Sequence, residues 1–120
     1  MKKFLSQWNP LRRLSRQASP LSPVHPQELS VWLASGDTLL VDVREKEEFA
    51  RDHVEGALSA PLSAFPGQLS LPQAVRRVVF HCQTGTRTRL AAARLAASTA
   101  LPSFVLSGGL NDWRRMVEPK

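Results

Sequence analysis

The stretch RRVVFHCQTGTRTRLAAARLAAS, residues 76–98, contains the local pattern on which the predicted fold depends. Its apolar first part predicts a buried β-strand over residues 76–82, and its alanine- and leucine-rich last part predicts a strong helix over residues 88–98. Between them lies a short polar loop with Gly85, a residue that lets the backbone curl tightly. The only cysteine of the chain, Cys82, stands where the strand meets this loop.

The loop after Cys82 has the composition of an anion cradle. A tight turn from a strand into a helix directs several backbone N–H groups toward one spot, and the helix dipole adds partial positive charge there. Thr88 is placed to cap the helix or to hydrogen-bond the sulfur, and Arg87 adds a permanent cation. Because such surroundings lower the pKa of a thiol, Cys82 is predicted to be a nucleophile at neutral pH. The alternative, a small buried apolar residue, leaves the glycine, hydroxyls and arginine unexplained.

On either side of this stretch, strand and helix patterns alternate. The remaining segments predict a helix over 26–35, a strand over 38–43, a short polar helix or turn over 44–53, a short strand over 56–61, a weak helix over 62–75, a strand over 103–109 and a helix over 110–116. Such alternation predicts an α/β fold with a central parallel sheet and helices on both faces. Ligands of such sheets bind beyond the carboxyl ends of the strands, where Cys82 stands. His81 is expected to point to the opposite face and to be structural.

The net charge of +6 is concentrated in the first residues of the chain. Residues 1–25 carry five basic side chains and no acidic one, whereas the rest of the chain carries 11 basic and 10 acidic side chains. We therefore predict a basic tail over residues 1–20 and a nearly neutral domain over residues 21–120, which argues against a nucleic-acid-binding domain. The tail is interpreted as disorder, with a targeting peptide or a foot on anionic lipid as the alternatives.

The single cysteine excludes an internal disulfide and a thiolate metal cluster within one chain. A free thiol suits a reducing compartment, so a cytoplasmic location is expected, with an organelle or a membrane surface as the alternatives that the tail leaves open. No apolar run approaches the length of about 20 residues that a spanning helix needs. Without a disulfide or a metal cluster, the fold is expected to depend on packing alone.

Three motifs, in order, resemble those of the single-domain rhodaneses, which are thiosulfate or persulfide sulfurtransferases. CQTGTRT at residues 82–88 resembles the active-site loop of that family, VDVREKEEFARDHVEGA at 41–57 its upstream motif, and LSGGLNDW at 106–113 its closing motif. The resemblance covers residues 22–118 and implies a sheet of five parallel strands. It also implies a cysteine that cycles between thiolate and persulfide, with no metal or organic cofactor.

The resemblance also assigns roles to individual residues. Cys82 is the implied sulfur acceptor and donor, and Arg44 is expected near the mouth of the pocket or in an ion pair with the segment after it. The implied substrate-binding residues are those of the loop: Gln83, Thr84, Gly85, Thr86, Arg87 and Thr88. Arg87, with help from Arg89, is expected to attract an anionic donor. Structural roles are expected for Asp42, Glu48 and His53, and Trp113 is expected in the core or in the wall of the pocket. Close-packing turns beside the loop are expected at Gly56–Ala57 and at Gly108–Gly109.

The predicted reaction is the transfer of a sulfane sulfur to a thiol or to cyanide through Cys82, with thiosulfate, glutathione or thioredoxin-like thiols as partners. One alternative is a phosphatase or arsenate reductase of similar fold. Those phosphatases have five residues between cysteine and arginine, whereas only four separate Cys82 from Arg87. A second alternative is a non-catalytic binding module or a slow sulfur carrier.

Overall fold

A computed structural model describes residues 20–118, in which five parallel strands form one sheet. The strand order is β1-β5-β4-β2-β3, and every neighbouring pair is parallel. The strands are β1 (Ser22–Val24), β2 (Thr38–Asp42), β3 (Leu58–Ser59), β4 (Arg77–His81) and β5 (Ser103–Leu106). The predicted α/β class with a parallel sheet is therefore confirmed.

Helices connect these strands and cover both faces of the sheet. They are α1 (Pro26–Ser35), α2 (Lys46–Arg51), α3 (Thr86–Leu90), α4 (Ala92–Ala96) and α5 (Gly109–Met116), with one 3-10 turn at Leu62–Ala64. Proline at the first position of α1 has no N–H to leave unpaired, and Gly36 ends this helix in the left-handed conformation at φ 84°. The predicted bounds of α1 are confirmed.

Most predicted elements differ in their bounds from the observed ones, and four of the differences have an identifiable cause. The helix predicted over 88–98 begins two residues earlier and is divided at Ala91, whose φ of −103° and ψ of 13° interrupt the helical path. The weak helix predicted over 62–75 is limited to the 3-10 turn, because Pro66 and Pro72 prevent continuation. The strands predicted over 56–61 and 103–109 are shorter, since residues pair only where a neighbouring strand reaches them.

Strand β1 was not predicted from the local pattern. It has only three residues, of which Ser22 and Pro23 are exposed, so no alternation of apolar and polar residues is visible. Its extended conformation depends on pairing with β5, where Ser22 lies opposite Phe104 and Val24 opposite Leu106. Proline is tolerated in β1 because the strand lies at the edge of the sheet.

Neighbouring residues of the central strands enter opposite cores, as the pleat of a strand requires. Val41 of β2 and Val78 of β4 pack in the core under α4, with Cys82 at its edge. Leu40 and Val79, one position away, pack in the core under α1 and α5, which contains the buried Trp113. These two cores confirm that helices cover both faces.

The predictions for the basic tail fall on residues outside the described part of the chain. Residues 1–19 and 119–120 are not described, so the predicted boundary at residue 20 and the choice among disorder, targeting and lipid contact stay predictions. Within residues 20–118, no helix is long and apolar enough to cross a membrane.

Helix α5 begins directly against the loop that follows Cys82. The backbone N–H groups of Leu110 and Asn111 donate to the carbonyl oxygens of Cys82 and Gln83 at 2.9 and 3.0 Å. This approach needs Gly109, because a Cβ atom there lies 2.7 Å from the Cys82 carbonyl oxygen and its φ is +62°. The expected packing role of Gly109 is confirmed. Gly56 has a positive φ but nothing within 4 Å of a Cβ, so its expected close packing is wrong.

We expect Gly109→Ala to destabilise the domain by about 2 to 4 kcal/mol, because the new methyl group clashes with backbone atoms of the loop and the left-handed φ becomes strained. The measurement is urea unfolding followed by circular dichroism. Gly67→Ala is the matched control, since nothing lies within 4 Å of a Cβ there and its φ is not positive. Equal stabilities of the two variants contradict the prediction.

Candidate active site

The ends of three neighbouring strands converge around Cys82. It lies one residue after β4, between the end of β2 at Asp42 and the β5–α5 turn at Ser107–Gly108. The backbone N–H of Val43 donates to the carbonyl oxygen of His81 at 3.0 Å, which extends the β2–β4 pairing up to the cysteine. Cys82 therefore lies at the carboxyl edge of the sheet, where a parallel sheet is expected to bind its ligand.

The thiol of Cys82 lies inside a curl formed by its own loop. The backbone N–H of Gly85 donates to Cys82 Sγ at 3.1 Å, and the hydroxyl of Thr88 lies 3.8 Å from the same sulfur. Gly85 adopts φ 106°, a left-handed conformation that directs its N–H inward. The cysteine is completely buried, with an exposed fraction of 0%. The loop therefore surrounds one sulfur atom closely.

This environment favours the thiolate form of Cys82. Burial opposes ionisation, but hydrogen bonds from the backbone N–H groups of Thr88, Gly85 and Arg87 and from the Thr88 hydroxyl outweigh it and lower the pKa of the thiol. Thr88 is not the helix cap that was one of its two predicted roles, since Gly85 occupies that position. Its hydroxyl donates to the Gly85 carbonyl oxygen at 3.0 Å, and the sulfur, 3.8 Å away, is the other group to which its single proton can be directed.

Arg44 is buried and anchors the loop to the end of β2. Its guanidinium donates to the Asp42 carboxylate at 2.8 to 3.2 Å, to the Asp52 carbonyl oxygen at 2.6 Å and to the Gln83 side-chain oxygen at 3.0 Å. Its ion pair is with Asp42, and not with the EKEE segment that follows it. Arg44 therefore contacts the active-site loop through Gln83, the first residue after the cysteine.

The side chain of Gln83 is held by residues on both sides of the loop. While its oxygen accepts from Arg44, its Nε2 donates to the Asn111 side-chain oxygen at 2.6 Å. These contacts hold the Gln83 side chain in place in the loop, and its binding of a substrate stays a prediction. Asn111 had no predicted role, although its place two residues after the two glycines of the closing motif was a usable signal.

Arg87 is bound to the carboxylate of Glu48 on α2. The two guanidinium nitrogens donate to the two carboxylate oxygens at 2.8 and 3.1 Å, a bidentate pair. Glu48 also accepts from the backbone N–H of Glu45 at 2.9 Å, in the capping box that begins α2. The pair links α2 to the loop and neutralises the cation that was expected to attract an anionic donor.

The two ring nitrogens of His81 are directed at groups other than the thiol. Nδ1 lies 3.0 Å from the Cys82 carbonyl oxygen, and Nε2 lies 3.5 Å from Asp42 Oδ2. Burial lowers the pKa of His81, although the nearby Asp42 carboxylate opposes this effect. This placement agrees with a structural histidine.

The outer residues of the loop are exposed. Thr84 and Thr86 place their hydroxyl oxygens 3.2 Å apart at the surface. The exposed guanidinium of Arg89 has no hydrogen-bond or ion-pair partner among residues 20–118. In the same range, no group of three or more His, Cys, Asp or Glu side chains is arranged to hold a metal ion.

The Rhodanese-like domain family matches this chain over residues 25–116, which include the loop and all of its anchoring residues. The chain belongs to the rhodanese-like domain family. A sulfurtransferase of Allochromatium vinosum is 32% identical over 96 residues, covering 79% of this chain and 90% of the relative. An uncharacterized protein of Synechocystis is 35% identical over 94 residues, covering 77% of this chain, and the chain spans 51% of its length.

Solved structures lead to the same family. A human single-domain sulfurtransferase superimposes with a TM-score of 0.64 at 30% identity, covering 78% of this chain and 96% of that protein. The family and the names of these relatives support a sulfurtransferase-type activity for this rhodanese-like domain.

The Glu48–Arg87 pair gives the domain a specific acid sensitivity. The Arg87 guanidinium lowers the pKa of Glu48 from 4.5 to about 2, although desolvation opposes this. A carboxylate with a lowered folded-state pKa stabilises the fold above its unfolded pKa and loses that contribution as pH falls through the folded value. We expect the domain to lose about 1 to 2 kcal/mol through this pair between about pH 4.5 and pH 2, after allowance for solvent screening.

The measurement is urea unfolding across that pH range for the unmodified protein and for Glu48→Gln, in which this part of the pH dependence should be missing. Glu47→Gln is the control, because Glu47 is exposed on the same helix and makes no ion pair among residues 20–118. A pH dependence that is the same in all three proteins shows that the pair does not stabilise the fold.

Proposed function

We propose that the protein is a sulfurtransferase that carries a sulfane sulfur on Cys82. The Cys82 thiolate attacks the outer sulfur of thiosulfate, the S–S bond of thiosulfate breaks, and sulfite leaves with the bonding electron pair. With a persulfide donor, the leaving group is the donor's thiolate. Either step gives a Cys82 persulfide, and neither needs an external oxidant or reductant.

The observation that carries this proposal is the curl of the loop around Cys82. A persulfide anion needs hydrogen-bond donors aimed at sulfur, and the Gly85 N–H is already 3.1 Å from Sγ. A loop with four residues between cysteine and arginine has room for one sulfur, whereas the alternative phosphatase chemistry uses the longer loop described above. The loop geometry therefore favours sulfur transfer over phosphoryl transfer.

The second half of the reaction needs an acceptor from solution. Among residues 20–118 there is no second cysteine to attack the Cys82 persulfide. We therefore assign this role to an external nucleophile, such as cyanide, glutathione or a thioredoxin-like thiol. The complete burial of Cys82 also favours a slow sulfur carrier as a second candidate, because an acceptor must first reach the outer sulfur.

Mass spectrometry of the intact protein after thiosulfate treatment tests the proposal. We expect a gain of one sulfur atom that cyanide removes, and no gain in Cys82→Ser, because the serine hydroxyl does not form a persulfide. The serine variant should keep its melting temperature within a few degrees, since the two side chains are nearly isosteric. A sulfur gain without removal by cyanide supports the carrier, whereas the same gain in Cys82→Ser contradicts the proposal.

The role of Arg87 is tested by breaking its ion pair from each side. If Arg87 attracts the anionic donor, Arg87→Ala should lower kcat/KM for thiosulfate about tenfold more than for an uncharged persulfide donor. Glu48→Gln frees the same cation, so it should keep or raise kcat/KM for thiosulfate. If both variants lose activity equally with both donors, Arg87 positions the loop and does not bind the donor.

A further inference from the structure

A groove of about 530 Å³ lies between the β1–β5 edge of the sheet and the segment formed by the loop and α3. Its apolar lining comes from Leu21, just before β1, from Pro23 of β1, and from Val105 and Leu106 of β5. We name it the β1–β5 groove. Its volume is in the range of sites that bind small organic molecules.

The β1–β5 groove adjoins the sulfur through two residues that the active site already uses. Gly85 and Thr88, which lie 3.1 and 3.8 Å from Cys82 Sγ through their N–H and hydroxyl groups, both line the groove. Because Cys82 itself is completely buried, a molecule that reacts with its sulfur has to pass the residues that surround it, and Gly85 and Thr88 are two of these. The groove is an open cavity at that position.

The charge in the lining of the groove limits which molecules it can bind. Among residues 20–118, Arg89 is the one charged residue in its lining, and no acidic residue lines it. The guanidinium of Arg89 has no partner among the described residues, whereas that of the neighbouring Arg87 is neutralised by Glu48. Hydroxyl groups of Ser22 and Ser107 also line the groove. A complementary occupant has an apolar body and one negative charge.

We propose that the β1–β5 groove binds the sulfur acceptor, and that this acceptor is a small thiol with an apolar chain and a carboxylate, which Arg89 binds. The inference rests on the proposed function and adds the class of acceptor. The acceptor thiolate attacks the outer sulfur of the Cys82 persulfide, and the S–S bond to Sγ breaks. The electron pair returns to Cys82 as thiolate, and the acceptor leaves as a persulfide.

A series of synthetic thiols tests the proposal, with thiosulfate as the donor and the full chain as the enzyme. Mercaptohexanoate has both proposed features, mercaptohexanol lacks the carboxylate, and mercaptopropionate has a shorter chain. We expect kcat/KM for mercaptohexanoate to exceed the values for the other two about tenfold, because each methylene buried on apolar surface and each charge-assisted hydrogen bond strengthens binding.

Two variants locate the effect in the groove. Arg89→Gln should reduce the ratio of kcat/KM for mercaptohexanoate over mercaptohexanol to about one, and Pro23→Asp should reduce it further by placing a like charge on the exposed edge strand. Arg76→Gln removes the same charge at the opposite end of the sheet, where Arg76 precedes β4, and should leave the ratio unchanged.

Equal kcat/KM values for the three thiols, with a persulfide that cyanide removes, overturn the acceptor proposal and leave the proposed function intact. Absence of the Cys82 persulfide overturns both. If deletion of residues 1–19 raises kcat/KM for mercaptohexanoate and mercaptohexanol equally, and Arg89→Gln does not change their ratio, the groove is occupied by the chain's own segment. That outcome also overturns the proposal.

Discussion

The close contact between the first turn of α5 and the loop after Cys82 is the constraint on which the site depends. Two backbone hydrogen bonds join the elements, and they form only because Gly109 has no side chain to separate the backbones. This contact holds the carbonyl groups of Cys82 and Gln83 in place on the side of the loop that faces α5. The next residues of the loop can then turn back over the sulfur, with the N–H of Gly85 directed at it.

Charged side chains hold the loop on its other sides, and ion pairs neutralise most of these charges. Arg44 is paired with Asp42 and bonded to Gln83, while Arg87 is paired with Glu48. A buried guanidinium needs such partners, because an unpaired charge is costly away from water. The result is a frame of paired charges around the loop. The hydrogen bonds of the loop backbone and of the Thr88 hydroxyl are the main contributions that lower the pKa of Cys82.

Arg89 differs from Arg44 and Arg87 because its guanidinium is exposed and has no partner among residues 20–118. It lies at the groove that shares Gly85 and Thr88 with the sulfur site. Two kinds of group are therefore separated within the short segment 82–89. Buried groups hold the sulfur, and the exposed cation is available to a molecule that arrives from solution. In the proposed reaction, this separation allows the persulfide to stay protected until an acceptor occupies the groove.

The strand, the loop and the helix around Cys82 were predictable from local sequence, because an apolar run, a glycine and an alanine-rich segment each limit the backbone conformation directly. The alternation of such segments was sufficient to predict the parallel sheet. Strand β1 and the ion pair between Glu48 and Arg87 were not predictable, since each joins residues far apart in the chain that carry no local signal. The same is true of the groove, whose lining comes from β1, β5 and α3. Sequence determined which residue is the predicted nucleophile, and tertiary packing alone decided that the guanidinium groups of Arg44 and Arg87 are neutralised while that of Arg89 stays exposed.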